Sequence, residues 1–255
     1  MKLSFNTETL FKNKSIYEAI KLLHEHGIAA VEFWSWHDKD LKHIRRLQQE
    51  TGMEVASIVV TPESLVDPSR RSALLDAVKG TAEACRELGC RRMVQTVGSV
   101  VPGRSREEMK AALIEGLEAC VPVLEEYEVI SAIEPLNTVI DKELSDIYLN
   151  TSEEAFSIAA HIGHPLVKVC YDMYHVQIME GNVLTRLQNN IHLVGHIQAA
   201  GVPGRHELYM GELNYDYILD AIKQMDYDGF VGMEYFPVHD PIYDLQQLHS
   251  KYYTG

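Results

Sequence analysis

The chain of 255 residues has no run of 18 apolar residues, so no membrane-spanning helix is expected. Its opening stretch, MKLSFNTETL, lacks the long apolar core of a signal peptide. Cysteine is scarce: Cys85, Cys90, Cys120 and Cys170 form no C-x-x-C pair, and all lie in apolar context. A zinc knuckle or disulfide framework is thereby disfavoured, and a reduced, cytoplasmic protein is expected. Positive charge is also short. Twenty-three Lys and Arg face 37 Asp and Glu, for a formal net charge of -14. Such a surface repels nucleic acid and anionic lipid, so neither is expected as a partner. An anionic substrate would need a cation inside its own pocket. A homo-oligomer stays open, because nothing in the sequence decides it.

What is present is regular. SIYE at Ser15–Glu18, SREE at Ser105–Glu108 and TSEE at Thr151–Glu154 read as helix-starting capping boxes, with stops at Gly27 and Gly163 for the first and third. Further helices are expected over 38–52, 68–89 and 214–225, where apolar residues recur at three and four. Eight short apolar runs lie between the helical segments: LSF, AVEFW, EVASIVV, RRMVQTV, VISAIE, VKVCYD, LVGHIQ and FVGMEY. Their spacing of about 32 residues suits one strand–helix unit each. Eight such units, with no low-complexity linker, predict a single (β/α)8 TIM barrel over residues 1–255. An open doubly wound sheet would carry a glycine-rich phosphate loop after its first strand, but that position reads NTETLFKNKS.

Barrel chemistry gathers where strands end. The fifth run ends in Glu134, the sixth in Asp172, the seventh in Gln198 and the eighth at Glu234. Three carboxylates and one amide oxygen on a single rim are hard donors, suited to Mg²⁺ or Mn²⁺. His196 shares strand parity with Gln198, and either touches substrate or is a hydrogen-bonded residue inside the barrel. His175 follows Asp172 by three and is read as a substrate contact. Trp34 and Trp36 close the second run and are expected to wall the pocket. Glu32 shares parity with Trp34, in a pocket role or a buried ion pair. The stretch AGVPGRHELYMGELNY after the seventh run is expected to fold across the mouth, with Arg205 forking onto a substrate carboxylate.

IEPLNT, DMYHVQIMEGN, GHIQAAGVPGRHELYMGELNY and DGFVGMEYFP together resemble the hydroxypyruvate isomerase family of xylose-isomerase-like TIM barrels. The motifs cover roughly 130–237, and the first half matches only in layout. The resemblance implies that Glu134 and Glu234 are a catalytic pair that also ligates metal, that Asp172 and Gln198 complete the ligand set, and that His175 and Arg205 touch substrate. One departure concerns the segment after IEPLNT. The family carries an Arg and a Pro-Gly there; this chain reads VIDKELSDIYLNTSEEA. The implied reaction is proton transfer through an enediolate, as in hydroxypyruvate to tartronate semialdehyde. A ketose 3-epimerase or inosose-processing enzyme would use the same parts. An endonuclease would want more histidines and a basic groove, and a non-catalytic sugar-binding barrel would show no solvent-hydrogen exchange into substrate. A hydride-shift isomerase would want a second carboxylate cluster, which the sequence does not offer.

Overall fold

Capping chemistry sets most helix starts. The Ser15 side chain accepts from the Glu18 N–H while the Glu18 carboxylate accepts from the Ser15 N–H, and Ser105 and Glu108 repeat the arrangement. The third box is half formed. Thr151 Oγ1 accepts from the Glu154 N–H, but the Glu154 carboxylate turns to Arg106 and the Tyr148 hydroxyl. A tertiary ion pair has outcompeted the local return bond.

The computed structural model describes residues 2–252. Its strands are β1 (Lys2–Asn6), β2 (Ala30–Phe33), β3 (Glu54–Val59), β4 (Arg92–Gln95), β5 (Ile130–Ile133), β6 (Val167–Asp172), β7 (Val194–Ala199) and β8 (Phe230–Met233). All pair in parallel with their sequence neighbours, and β1 pairs with β8, closing the barrel. The helices are α1 (Thr7–Leu10), α2 (Ile16–Glu25), α3 (Leu41–Thr51), α4 (Arg71–Leu88), α5 (Arg106–Tyr127), α6 (Ser152–Ile162), α7 (Met173–Met179), α8 (Val183–Asn190), α9 (Tyr215–Lys223) and α10 (Pro241–Tyr252). The predicted eightfold alternation is therefore present. Among the described residues, no helix is long and apolar enough to cross a membrane.

The main apolar core lies between the sheet and the helices. Residues such as Ile20, Ile44, Val78, Leu117 and Leu219 are fully or almost fully buried there. The barrel interior carries an unusual polar load. Branched apolar side chains normally fill such interiors, but here Ser4, Glu32, Ser57, Gln95, Ser131 and His196 are all buried. They pair in part: Ser131 Oγ donates to Gln95 Oε1 at 2.6 Å, and Ser57 Oγ donates to Glu32 Oε2 at 2.9 Å, while Glu32 Oε1, Gln95 Nε2 and His196 Nδ1 have no hydrogen-bond partner among the described residues. Gly232 makes the room, since a Cβ there would stand 2.1 Å from Glu32 Oε1. The four cysteines are free and buried.

Candidate active site

The strand ends of β5 to β8 meet on one rim of the barrel. Asp172 is the last residue of β6 and pairs in register with Gln198 of β7, which pairs in turn with Gly232 of β8. Glu134 and Glu234 each stand one residue beyond the last residue of β5 or of β8. Glu134, Gln198 and Glu234 line a cavity of about 520 Å³ together with Trp34, Tyr174, His175, Gly204 and Arg205. Asp172 is 1% exposed and lies under Arg205, bonded to it.

Each carboxylate is held differently. Asp172 Oδ1 caps α7, accepting from the Tyr174 N–H at 2.8 Å. Its Oδ2 accepts from Arg205 Nη2 at 3.1 Å. Glu234 Oε1 accepts from Asn6 Nδ2 at 3.0 Å and from the Trp34 indole, and its Oε2 accepts from Arg205 Nη2 at 2.7 Å. Glu134 Oε1 is buried without a hydrogen-bond partner among the described residues, with His175 Nε2 4.0 Å away. Gln198 Oε1 accepts from the Cys170 thiol at 3.0 Å.

Burial dominates the electrostatics. It pushes Glu134 well above the usual carboxylate range, and Glu234 and Asp172 push further in the same direction. Burial also raises Asp172, against the opposing pull of Arg205. Glu234 is pushed up to about 7 by burial, again opposed by Arg205. Burial disfavours the charge on Arg205, yet Glu234 and Asp172 hold it more firmly protonated than an ordinary arginine. His175 is pushed well below its usual value by burial and then by Arg205.

Glu134, Asp172 and His175 each offer a ligand atom within 4.8 Å of one another, so this buried cluster could hold a metal ion. The oxygen of Glu134 that lacks a hydrogen-bond partner fits that reading, as does the hard oxygen of Asp172; Glu234, tied to Asn6, Trp34 and Arg205, is not part of that compact cluster. His175 fits less well as a ligand. Its Nδ1 accepts from the Asn137 N–H at 3.0 Å. A neutral ring that accepts at Nδ1 carries its proton on Nε2. Nε2, 3.4 Å from Asp172 Oδ2 and 4.0 Å from Glu134 Oε1, is therefore a donor.

Other expectations change. The forked contact expected of Arg205 is not available in this arrangement. Nη2 commits its hydrogens to Asp172 and Glu234, and Nη2 belongs to both edges of the guanidinium fork. Nη1 and the buried Nε keep their hydrogens uncommitted among the described residues, with the guanidinium resting 5.2 Å over the Tyr174 ring. Glu32 and His196 do not line the cavity. His196 Nε2 and Glu32 Oε2 meet at 2.6 Å inside the barrel, so both are buried, hydrogen-bonded residues of the interior and neither has the pocket role. Trp34 lines the cavity, but Trp36 does not. Strand parity ends with β2 at Phe33, and Trp36 turns outward, its Nε1 donating to Thr81 Oγ1 of α4 at 3.1 Å.

Sequence reading missed Asn6, Asn137, Asp141 and Tyr174. Asn6 ends β1 and was reachable by the same strand-end rule. The loop after β5, where the chain departs from the family pattern, places Ile140, Asp141, Glu143 and Leu144 in the cavity wall. No periodic signal marks that loop.

Residues 20–251 match the family model described as xylose isomerase-like TIM barrel. The chain is 31% identical over 219 residues to the 2-oxo-tetronate isomerase of Cupriavidus necator, covering 83% of each chain. It is 28% identical over 245 residues to the hydroxypyruvate isomerase of Escherichia coli, covering 93% of this chain and 94% of the relative. A solved structure described as an AP endonuclease, family 2, from Brucella melitensis superposes with a TM-score of 0.91 at 26% identity, covering 98% of both chains. The match to the family model across most of the chain, on a closed eight-stranded barrel with its acidic residues at the strand ends, shows that the chain belongs to the xylose isomerase-like TIM barrel family.

Proposed function

We propose that this chain is an isomerase of a small hydroxy-keto acid, with hydroxypyruvate to tartronate semialdehyde as the leading reaction. The observation that carries the reading is the pair of buried carboxylates, Glu134 and Glu234, delivered by β5 and β8 to one cavity that also holds Arg205. The isomerase names of the relatives from Cupriavidus necator and Escherichia coli support the same class.

Glu134, Asp172, Gln198 and Glu234 would hold a divalent ion, Mg²⁺ or Mn²⁺ by donor hardness, which when bound polarises a carbonyl and acidifies the adjacent C–H. The side chains supply the rest. Glu134, whose Oε1 meets no donor, takes the proton from the hydroxyl-bearing carbon. The electron pair left behind moves to the carbonyl oxygen, giving an enediolate. His175 Nε2–H donates to a substrate oxygen, and Arg205 Nη1 faces the substrate carboxylate. A proton returned to the former carbonyl carbon, with transfer of the hydroxyl proton to the neighbouring oxygen, completes the isomerisation. Glu234, fixed by Asn6, Trp34 and Arg205, stands on the other side of the ligand set. Trp34 walls the cavity and limits access of water.

A second reading has an observation of its own. The cavity of about 520 Å³ exceeds what a three-carbon acid fills, and Asp141 and Glu143 line it, which suits neutral hydroxyls better than a second carboxylate. Proton return to the opposite face of the same carbon would make the enzyme a ketose epimerase. A panel of hydroxy-keto acids and ketoses, assayed with Mg²⁺ and Mn²⁺ in deuterated water, separates the two. Isomerisation of hydroxypyruvate with deuterium uptake supports the first. Turnover restricted to ketoses supports the second. Absence of both turnover and exchange removes the catalytic reading.

The adjacency of β1 and β8, from opposite ends of the chain, supports a single barrel domain. The four buried free thiols support a reduced, cytoplasmic location.

A further inference from the structure

Asn137 is fully buried, three residues beyond Glu134, in the loop that leaves β5. Its side chain is saturated. Oδ1 accepts from the Ile140 N–H at 3.1 Å and the Asp141 N–H at 3.2 Å. Nδ2 donates to Asp141 Oδ2 at 2.7 Å and lies 2.8 Å from His175 Nδ1. The backbone N–H of Asn137 also points at that Nδ1, at 3.0 Å.

The orientation of the amide follows from these partners. Reversing it would set an NH₂ group against two backbone N–H donors and an oxygen against the Asp141 carboxylate. The amide nitrogen therefore faces His175. Two N–H groups of one residue converge on one imidazole nitrogen, and that nitrogen must carry a lone pair. The ring proton is then on Nε2, which points between Asp172 Oδ2 and Glu134 Oε1. A ring in this state cannot ligate a cation through Nε2 but can donate to an oxygen of the substrate.

We propose that Asn137 is a positioning residue: it holds His175 as an Nε2–H donor and ties that ring to the loop of Ile140 and Asp141 that walls the cavity. Asp141 extends the tie, since its Oδ1 accepts from the Tyr174 hydroxyl at 3.5 Å. The loop that differs most from the family pattern is thereby linked to the histidine next to the acidic cluster. The tautomer claim is independent of the reaction assigned above; only its kinetic consequence rests on that reading.

The test is ¹⁵N-histidine NMR of the full-length protein, with two-bond proton–nitrogen correlations and His175 assigned by its absence in His175→Gln. The wild type is expected to show an unprotonated Nδ1 and a protonated Nε2. A proton on Nδ1 instead would overturn the proposal outright, and this needs no variant to fold. In Asn137→Asp an acceptor replaces the side-chain donor and only the backbone N–H still faces Nδ1, so a form protonated at Nδ1 is expected to appear. Asp141→Asn, which keeps an acceptor for Nδ2, is expected to retain the wild-type pattern, separating loop disturbance from the specific contact. An unchanged pattern in a folded Asn137→Asp would also refute the proposal. Asn137→Ala is expected to lower kcat on the order of 10-fold with little change in KM. An inactive wild type with the expected NMR pattern would remove the isomerase reading and leave the positioning role standing.

Discussion

Glu32 of β2 and His196 of β7 meet at 2.6 Å in the barrel interior, 1% and 0% exposed. Removing one partner leaves the other's polar atom buried and unpaired, at a cost of about 1 to 3 kcal/mol. Glu32→Ala is expected to lose stability on that scale in chemical denaturation. Gly232→Ala, whose Cβ would strike Glu32 Oε1, is expected to lose about 1 to 3 kcal/mol. The double variant should lose less than the sum, because the clash disappears with the carboxylate. Strict additivity would show that Gly232 is not there to make room for Glu32.

Glu134→Gln is expected to reduce turnover on the order of 10² to 10⁴-fold with a nearly unchanged melting temperature, since its Oε1 has no donor to lose. Glu234→Gln is expected to be as inactive but also less stable. Both Glu234 oxygens accept from Asn6, Trp34 or Arg205, and one of them becomes an NH₂ group facing a donor. Rates and melting curves on both variants check this. A Glu134→Gln enzyme near wild-type rate would remove Glu134 as the base.

Arg205→Lys retains charge but cannot reach Asp172 and Glu234 while also presenting Nη1. A charged hydrogen bond of about 1.5 to 3 kcal/mol corresponds to a loss of roughly tenfold to more than a hundredfold in kcat/KM on hydroxypyruvate. The comparison is with a neutral ketose in the same buffer. An equal loss on both substrates would show that Arg205 organises the carboxylates without reading a substrate acid, and would favour the epimerase.

Asp244 at the start of α10 accepts from the Tyr209 hydroxyl at 2.7 Å, and the Glu207 carboxylate acts on it electrostatically. Burial pushes Asp244 up to about 6, and Glu207 adds to the rise. Glu207 itself is lowered: burial works against it, but the N–H groups of His239 and Val238 hold its charge. Between about 3.8 and about 6, folded Asp244 keeps a proton that the unfolded chain has lost. The folded state binds more protons there, so this group's contribution to stability falls as pH rises through the window. Asn at 244 donates and accepts without a proton to lose. The melting temperature of Asp244→Asn relative to wild type is therefore expected to rise from pH 4 to pH 7 in scanning calorimetry. A pH-independent difference would show that folded Asp244 keeps no extra proton in that window.

The strand ends were legible because burial and position speak together there. An apolar run that closes on Glu134, Asp172, Gln198 or Glu234 announces both a strand and its rim. Gly52 and Gly163 end α3 and α6 in left-handed backbone, which glycine adopts without strain. The loop after β5 was not legible. Its shape comes from Asn137 making four bonds to three residues, His175, Ile140 and Asp141, with no period to betray them. Trp36 was misread for a related reason: alternation holds only while the strand lasts. The closed fork of Arg205 depends on two acids from other strands, and no local pattern in the sequence encodes that meeting.

The indole of Trp34 lines the cavity with its N–H on Glu234, while that of Trp36 is turned away against α4. They are the only two tryptophans in the chain. One intrinsic fluorophore thus sits on a catalytic candidate and the other serves as an internal reference. Whatever docks against Glu234 has to disturb an emission band that half the protein's indole signal supplies, so the molecule carries its own optical titration probe.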